Sequence, residues 1–211
     1  MLDMVILDMD GVVFEGKNFW LEFHDLMGTR KQAMQLWRGL QKKDYSLLST
    51  HTARIWAGQS ATSFWRLIEE RQLISGIYQL VDYLHINKIP CAIVSSGPYQ
   101  LAERAQQLLA INTIRANKLE ISKDGFFTGV VDVQVDDSQK DLAAIDAMKE
   151  FSARPQFTAM IGDTTSDVMI AKVANISIAF NTDEAELITA CRSEEHTSEL
   201  QSHSDLVCRL L

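Results

Sequence analysis

Two acids sit close to the start of the chain, in the run MVILDMDGVV that begins at Met4. Val5, Ile6 and Leu7 are an apolar trio with strand propensity, and the run stops on Asp8, Met9, Asp10 and Gly11. Positions two apart on an extended chain point to the same side, so Asp8 and Asp10 can face one object. Neighbouring carboxylates raise each other's pKa, a cost that a divalent cation beside them removes. Oxygen ligands of this kind suit Mg2+. The plainer reading is a strand end closed by a turn-forming Asp-x-Asp-Gly, and this stretch alone leaves both open.

The periodicity of the chain predicts the elements that hold these acids. From residue 14 to about 75 the spacing is helical, with Phe14, Phe19, Trp20 and Phe23 followed by Met34, Leu36, Trp37 and Leu40. All four tryptophans, at 20, 37, 56 and 65, fall in this segment, which predicts a small helical subdomain with its own core. Beyond residue 76 strands and helices alternate. A helix carrying Ile77, Leu80, Val81 and Leu84 precedes the buried strand CAIVSS. A helix over 99–109, a short strand over 113–116 and a hairpin turning at Lys123, Asp124 and Gly125 come next. A helix over 138–151, the strand FTAMIGD, a helix in TSDVMIAKVA, the strand ISIAF and a last helix in DEAELITA complete the pattern.

Such alternation predicts an α/β fold: a doubly wound, mostly parallel sheet with a small helical cap inserted after the first strand. Ligands of these sheets bind beyond the carboxyl ends of the strands. Asp8 and Asp10, Ser95 and Ser96, and Asp163 all fall at such ends, so the polar chemistry converges on one edge.

Composition narrows the class. A chain of 211 residues holds one domain, or a core domain with a small insertion. No apolar stretch reaches the length of a membrane span, and a start that runs straight into the first strand leads to the expectation of no secretory signal. Three cysteines without metal-ligand spacing fit a reducing cytoplasm. The net charge of −8 speaks against nucleic acid as a partner but allows an anionic small substrate beside a local cation. His24, His51 and His85 have no partners at ligand spacing and read as structural or surface residues.

Taken singly, Lys140 reads as a solvated helix lysine, Ser95 as a strand end or helix cap, and Asp167 as an acid favoured by a helix dipole. Asp163 and Asp167, four apart near a helix start, repel without a cation. Together and in order these residues resemble the haloacid dehalogenase phosphatase superfamily. Its DxDGx motif is matched by Asp8–Val12, its Ser-ending strand by Ser95, its helix-start lysine by Lys140, and its GDxxxD motif by Gly162, Asp163 and Asp167. The resemblance spans residues 4 to about 190. It implies a Rossmann-like core of residues 1–13 and 76–191 with residues 14–75 as cap, placed as in the phosphoserine phosphatase-like branch.

The resemblance also implies roles. Asp8 is then the nucleophile that forms an aspartyl-phosphate, and Asp10 the acid and base that moves protons. Mg2+ is held by Asp8, the backbone carbonyl of Asp10, Asp163 and Asp167, while Ser95, Ser96, Gly97 and Lys140 bind the phosphate. The substrate implied is a small phosphorylated metabolite such as phosphoserine. The alternatives are a phosphomutase or phosphotransferase of the same superfamily, or a truncated, non-catalytic phosphate-binding protein. That branch holds its substrate with a cap glutamate and arginine. Here Lys17 stands where the glutamate is expected, leaving Glu15 and Glu22, with Arg38 and Arg54, as candidates. The fourth motif reads GDTTSD, with Ser166 where the branch commonly has asparagine.

The last twenty residues, RSEEHTSELQSHSDLVCRLL, follow none of these periods and resemble the translation of a short sequencing adaptor. The expectation is that residues 192–211 are non-native, with one sheet edge lost, lower stability than an intact relative, and no function for His196, His203 or Cys208.

Overall fold

A computed structural model describes residues 2–39 and 44–192, so the adaptor-like tail lies outside the described residues from position 193. Strands β1 (Met4–Leu7), β2 (Cys91–Pro98), β3 (Thr113–Ile121), β4 (Phe127–Asp132), β5 (Thr158–Gly162) and β6 (Ile176–Ala179) form one sheet in the spatial order β4-β3-β2-β1-β5-β6. Every neighbouring pair is parallel except β3 with β4. Helices α1 (Phe19–Leu26), α2 (Arg30–Gly39), α3 (Tyr45–Ile55), α4 (Thr62–Glu70) and α5 (Ile77–Ile86) lie between β1 and β2 in sequence. Helix α6 (Tyr99–Leu109) joins β2 to β3, α7 (Lys140–Glu150) joins β4 to β5, α8 (Val168–Ala171) joins β5 to β6, and α9 (Ala185–Arg192) follows. The doubly wound α/β expectation holds.

Strand β1 is the pivot of the fold. Val5 pairs with Cys91 of β2 on one side and with Ala159 of β5 on the other, so the strand order reverses at β1. A crevice opens at such a reversal, beyond the carboxyl ends of the strands, and Asp8 sits there. Alternation along β1 sends Val5 and Leu7 to one face with Leu80, Leu84 and Leu101. Met4 and Ile6 face the other way, toward Ala144, Ala147 and Met148 of α7. Both faces are apolar because both are covered by helices.

Three local features depart from the sequence reading. The short strand and the first hairpin arm are one nine-residue strand, β3. It changes partner midway, parallel to β2 up to Asn117 and antiparallel to β4 from Lys118. Asn117, one residue past the short strand expected over 113–116, is buried and acts as a stitch. Its Oδ1 accepts from the amides of Gln134 and Val135, at 2.9 Å each, and its Nδ2 donates to the carbonyls of Ser96 and Val135.

The helix expected across TSDVMIAKVA is a 3-10 turn over Thr165–Asp167 followed by the four-residue α8. The Asp167 carboxylate binds the amides ahead of it and tightens the turn. The aromatic residues of α1 to α4 do not form a separate core. Phe19, Phe23, Trp56 and Phe64 belong to one continuous cluster with Val5 and Leu7. The hairpin joins them: Phe127 of β4 lies 5.9 Å from Phe23 and 5.6 Å from Phe64, ring centre to ring centre. Backbone bonds Gly58 N to Phe127 O, Phe127 N to Gln59 O and Ala61 N to Gly125 O tie the helical segment to that hairpin. Among the described residues no helix is long and apolar enough to cross a membrane.

Candidate active site

Asp8 leaves the end of β1 with its backbone amide bound to Ile161 of β5, at 2.9 Å. Its carboxylate Oδ1 accepts a hydrogen bond of 2.9 Å from Lys140 Nζ, and the same nitrogen donates to Asp167 Oδ1 at 2.8 Å. Lys140 is the first residue of α7, where the helix dipole disfavours a cation. Side chains at a helix start lean back past the N-terminus, which carries this lysine into the crevice. It is 2% exposed, so the solvated-lysine reading is excluded and the two carboxylates are its compensation.

Asp163, at the end of β5, packs against Gly11. A Cβ on Gly11 would stand 2.0 Å from Asp163 Oδ2, and the glycine φ of +78° is one that other residues rarely adopt. Asp167 turns back on the same loop, accepting from the amides of Asp163 and Thr164 at 3.1 and 3.0 Å. Carboxylate oxygens of Asp8, Asp163 and Asp167 come within 4.8 Å of one another. Asp163 Oδ1 is buried and has no hydrogen-bond partner.

Asp10 faces elsewhere. Its Oδ1 accepts from the Arg71 guanidinium and its Oδ2 from the amide of Phe19, both at 2.9 Å. Arg71 also pairs with Glu22 and lies 5.5 Å from the Phe19 ring centre. The Asp10 side chain therefore stands outside the three-carboxylate group. Both acids of the opening motif, together with Ser95, Ser96, Gly97 and Lys140, line one cavity of about 250 Å³. Ser95, Ser96 and Gly97 sit where the β2–β3 register shifts, between Val94 and Pro98. The amide of Gly97 donates to Ser95 Oγ at 3.2 Å, and Ser96 Oγ donates to Asp137 Oδ1 at 2.8 Å.

The electrostatics of this crevice are unbalanced. Asp8, Asp10, Asp163 and Asp167 are buried against the two buried cations Lys140 and Arg71, an excess of two negative charges. Burial first, then Asp167, pushes Asp8 up to about 7 against the opposing pull of Lys140. Burial, then Asp8 and Asp167, pushes Asp163 up to about 8. Burial raises Asp10 as well, with Arg71 opposing. For Lys140 burial works downward, but Asp167 and Asp8 outweigh it and raise the ammonium above its ordinary value. A divalent cation among Asp8, Asp163 and Asp167 matches the excess charge, supplies the missing partner of Asp163 Oδ1, and lets Asp8 ionise near neutrality. The donor set, all carboxylate oxygen, fits a hard ion.

Of the cap candidates from sequence, Glu15, Arg38 and Arg54 are solvent-exposed. Glu22 reaches the site through Arg71, a residue the sequence reading passed over. Arg71 lies 61 positions from Asp10, in the loop after α4, and nothing in its local pattern marks it. Asp137 was also missed, although it stands three residues before Lys140. His24 is structural as expected, its Nδ1 2.8 Å from Thr29 Oγ1.

The chain belongs to the haloacid dehalogenase-like hydrolase family, whose model matches residues 2–175. Its curated relatives include the phosphoserine phosphatase of Streptococcus thermophilus, 32% identical over 106 residues, which are 50% of this chain and 49% of that protein. The phosphoserine phosphatase of Saccharomyces cerevisiae is 25% identical over 124 residues, 58% of this chain and 40% of that one. The chain thus spans about half the length, or less, of these relatives. Among solved structures, a phosphoserine phosphatase holding a phospho-aspartyl intermediate analogue superposes with a TM-score of 0.79 at 16% identity, covering 100% of this chain and 99% of that one. A family hydrolase of Salmonella enterica serovar Typhi gives 0.80 at 15% identity, covering 97% of this chain and 69% of that one. At these identities the structures establish the shared fold.

Proposed function

We propose that this chain is a Mg2+-dependent phosphomonoester hydrolase that works through an aspartyl-phosphate on Asp8. The observation that carries this reading is Lys140, buried and bridging Asp8 to Asp167 beside an Asp163 oxygen without a partner. Asp8, Asp163, Asp167 and the backbone carbonyl of Asp10 are the groups assigned to the ion. When bound, the ion neutralises phosphate charge and fixes its orientation.

In the first step an Asp8 carboxylate oxygen forms a bond to phosphorus while the bond to the leaving oxygen breaks. Asp10, raised by burial and held by Arg71 and the Phe19 amide, gives its proton to that oxygen. In the second step the Asp10 carboxylate takes a proton from water, whose oxygen attacks phosphorus and frees Asp8 and inorganic phosphate. Ser95, Lys140 and the amides of Ser96 and Gly97 hold the phosphate oxygens. We assign residues 1–13 and 76–191 to the core and residues 14–75 to a cap, supported by Trp20 and Arg71 reaching the crevice from that segment. The two described cysteines, Cys91 and Cys191, are free and buried, in keeping with a cytoplasmic setting. Phosphoserine, named in the relatives, is the reference substrate.

The test is turnover of phosphomonoesters with Mg2+ and after its removal by chelation. Activity that requires the ion supports the reading, and undiminished activity in chelator contradicts it. Arg71→Gln is expected to lower kcat by roughly 10- to 100-fold, a part of what a positioned general acid contributes, with a smaller change in KM. Steady-state kinetics check this.

Stability follows the same charges. Asp8 and Asp163 are raised from 3.8 to about 7 and about 8, so the unfolded chain has lost protons that the folded metal-free chain still holds. Their contribution is complete below pH 3.8 and is lost as pH rises through 7 and 8. Mg2+ is therefore expected to raise Tm more at about pH 9 than at about pH 6, by scanning calorimetry, these being about one unit above the higher and one below the lower of those pKa values. An equal rise at both would contradict a site among these carboxylates.

A further inference from the structure

A second cavity, of about 150 Å³, adjoins the catalytic one. Asn18, Trp20, Ser96 and Asp137 line both, so the two spaces share a wall. That wall is built: the Ser96 carbonyl accepts from Trp20 Nε1 at 2.9 Å, Asn117 Nδ2 at 3.0 Å and Tyr45 Oη at 3.2 Å. Away from the wall most of the lining is aromatic and aliphatic, with Trp37, Trp56, Met34 and Leu48, and its polar members His24, Ser49 and Thr52 are neutral or hydroxyl groups. Among the described residues no lysine or arginine lines this second cavity, and Asp137 is the one carboxylate. Burial lowers His24 to about 4 and raises Tyr45 to about 12, so both are neutral at pH 7. Lys17 and Lys140, the lysines closest in role, line the catalytic cavity instead.

Resting on the phosphatase reading above, we infer that this aromatic cavity seats the leaving group of the substrate, which is apolar and carries no negative charge. The phosphate enters between Asp8 and Ser95, and the ester oxygen points toward the shared wall. Phosphoserine fits this cavity poorly. Among the described lining residues its carboxylate would meet Asp137 and three indoles and no cation, and an unpaired buried charge is costly. A flat or branched hydrocarbon instead covers the indole faces and displaces water.

The experiment uses three primary alkyl phosphates of similar intrinsic reactivity: ethyl phosphate, phosphoserine and 2-phenylethyl phosphate. With Mg2+ present, kcat/KM for 2-phenylethyl phosphate is expected to exceed the other two by at least about 10-fold, the effect of a small apolar group in a fitted pocket. Trp37 is 54% exposed at the rim, so Trp37→Ala leaves the fold intact and is expected to cut the 2-phenylethyl to ethyl ratio about 10-fold. Phosphoserine turned over as well as or better than 2-phenylethyl phosphate, with ethyl phosphate still hydrolysed, overturns the inference and leaves the hydrolase reading standing. Absence of turnover on all three overturns the hydrolase reading. Binding of 2-phenylethanol, followed by tryptophan fluorescence, then decides the cavity: saturable quenching weakened by Trp37→Ala supports it, and no quenching overturns it.

Discussion

Asp8→Asn is expected to abolish turnover, with a loss on the order of 10⁴- to 10⁶-fold in kcat, the scale seen when a nucleophile or its activating group is removed. The amide keeps the shape of the side chain but is a poor nucleophile toward phosphorus. It also removes one of four buried acids from a crevice that has only two buried cations. Burial and Asp167 raise the Asp8 carboxyl to about 7, so ionised Asp8 is a strained charge in the metal-free fold at pH 8. The variant is therefore expected to keep a metal-free Tm at pH 8 no lower than that of the wild type. Lost activity with retained Tm separates a chemical role from a folding one. Residual activity within about 10-fold of wild type contradicts the assignment.

Lys140→Met has the largest expected effect on stability. The lysine is the cation shared by Asp8 and Asp167, and Asp167 is fully buried. Removing one partner of a buried pair leaves an uncompensated charge, at a cost of about 3–5 kcal/mol. The cost depends on pH in a definite direction. At pH 8 the wild-type protein has Asp8 ionised beside Lys140, and the variant has nothing to offset it. At pH 5 Asp8 holds its proton in both, and the penalty shrinks. Lys140 itself stays charged across this window, since its neighbours raise it. Urea denaturation at the two pH values measures both quantities. A penalty that is flat with pH contradicts the coupling of Lys140 to Asp8.

How much of this was legible in the chain divides along a physical line. Residues placed by strand ends were visible, because Asp8, Ser95 and Asp163 each follow an apolar run and a parallel sheet must bring those ends together. Helix α6 and the turn at Gly125, with its φ of +82°, were visible for the same reason: local pattern and local geometry agree. Arg71 was not, because its partners Asp10 and Glu22 come from a distant stretch and its own surroundings resemble any helix exit. The continuity of β3 through Asn117 was not visible either, because the bonds that carry the strand across it come from residues 134 and 135. The Asn117 side chain accepts those bonds, which let β3 change partners. The aromatic segment misled. Helical spacing reveals that Phe19, Phe23, Trp56 and Phe64 are buried, and their packing onto Phe127 depends on where the hairpin ends.

Trapping the covalent intermediate tests the central assignment most directly. The protein is mixed with Mg2+ and a phosphomonoester it hydrolyses, quenched in acid within a single turnover, digested, and mapped by mass spectrometry. The expected result is one phosphorylated peptide, modified on Asp8, with the label removed by hydroxylamine and absent from Asp8→Asn. Hydrolysis with no phosphorylated peptide, or phosphate found on a residue other than Asp8, would contradict it.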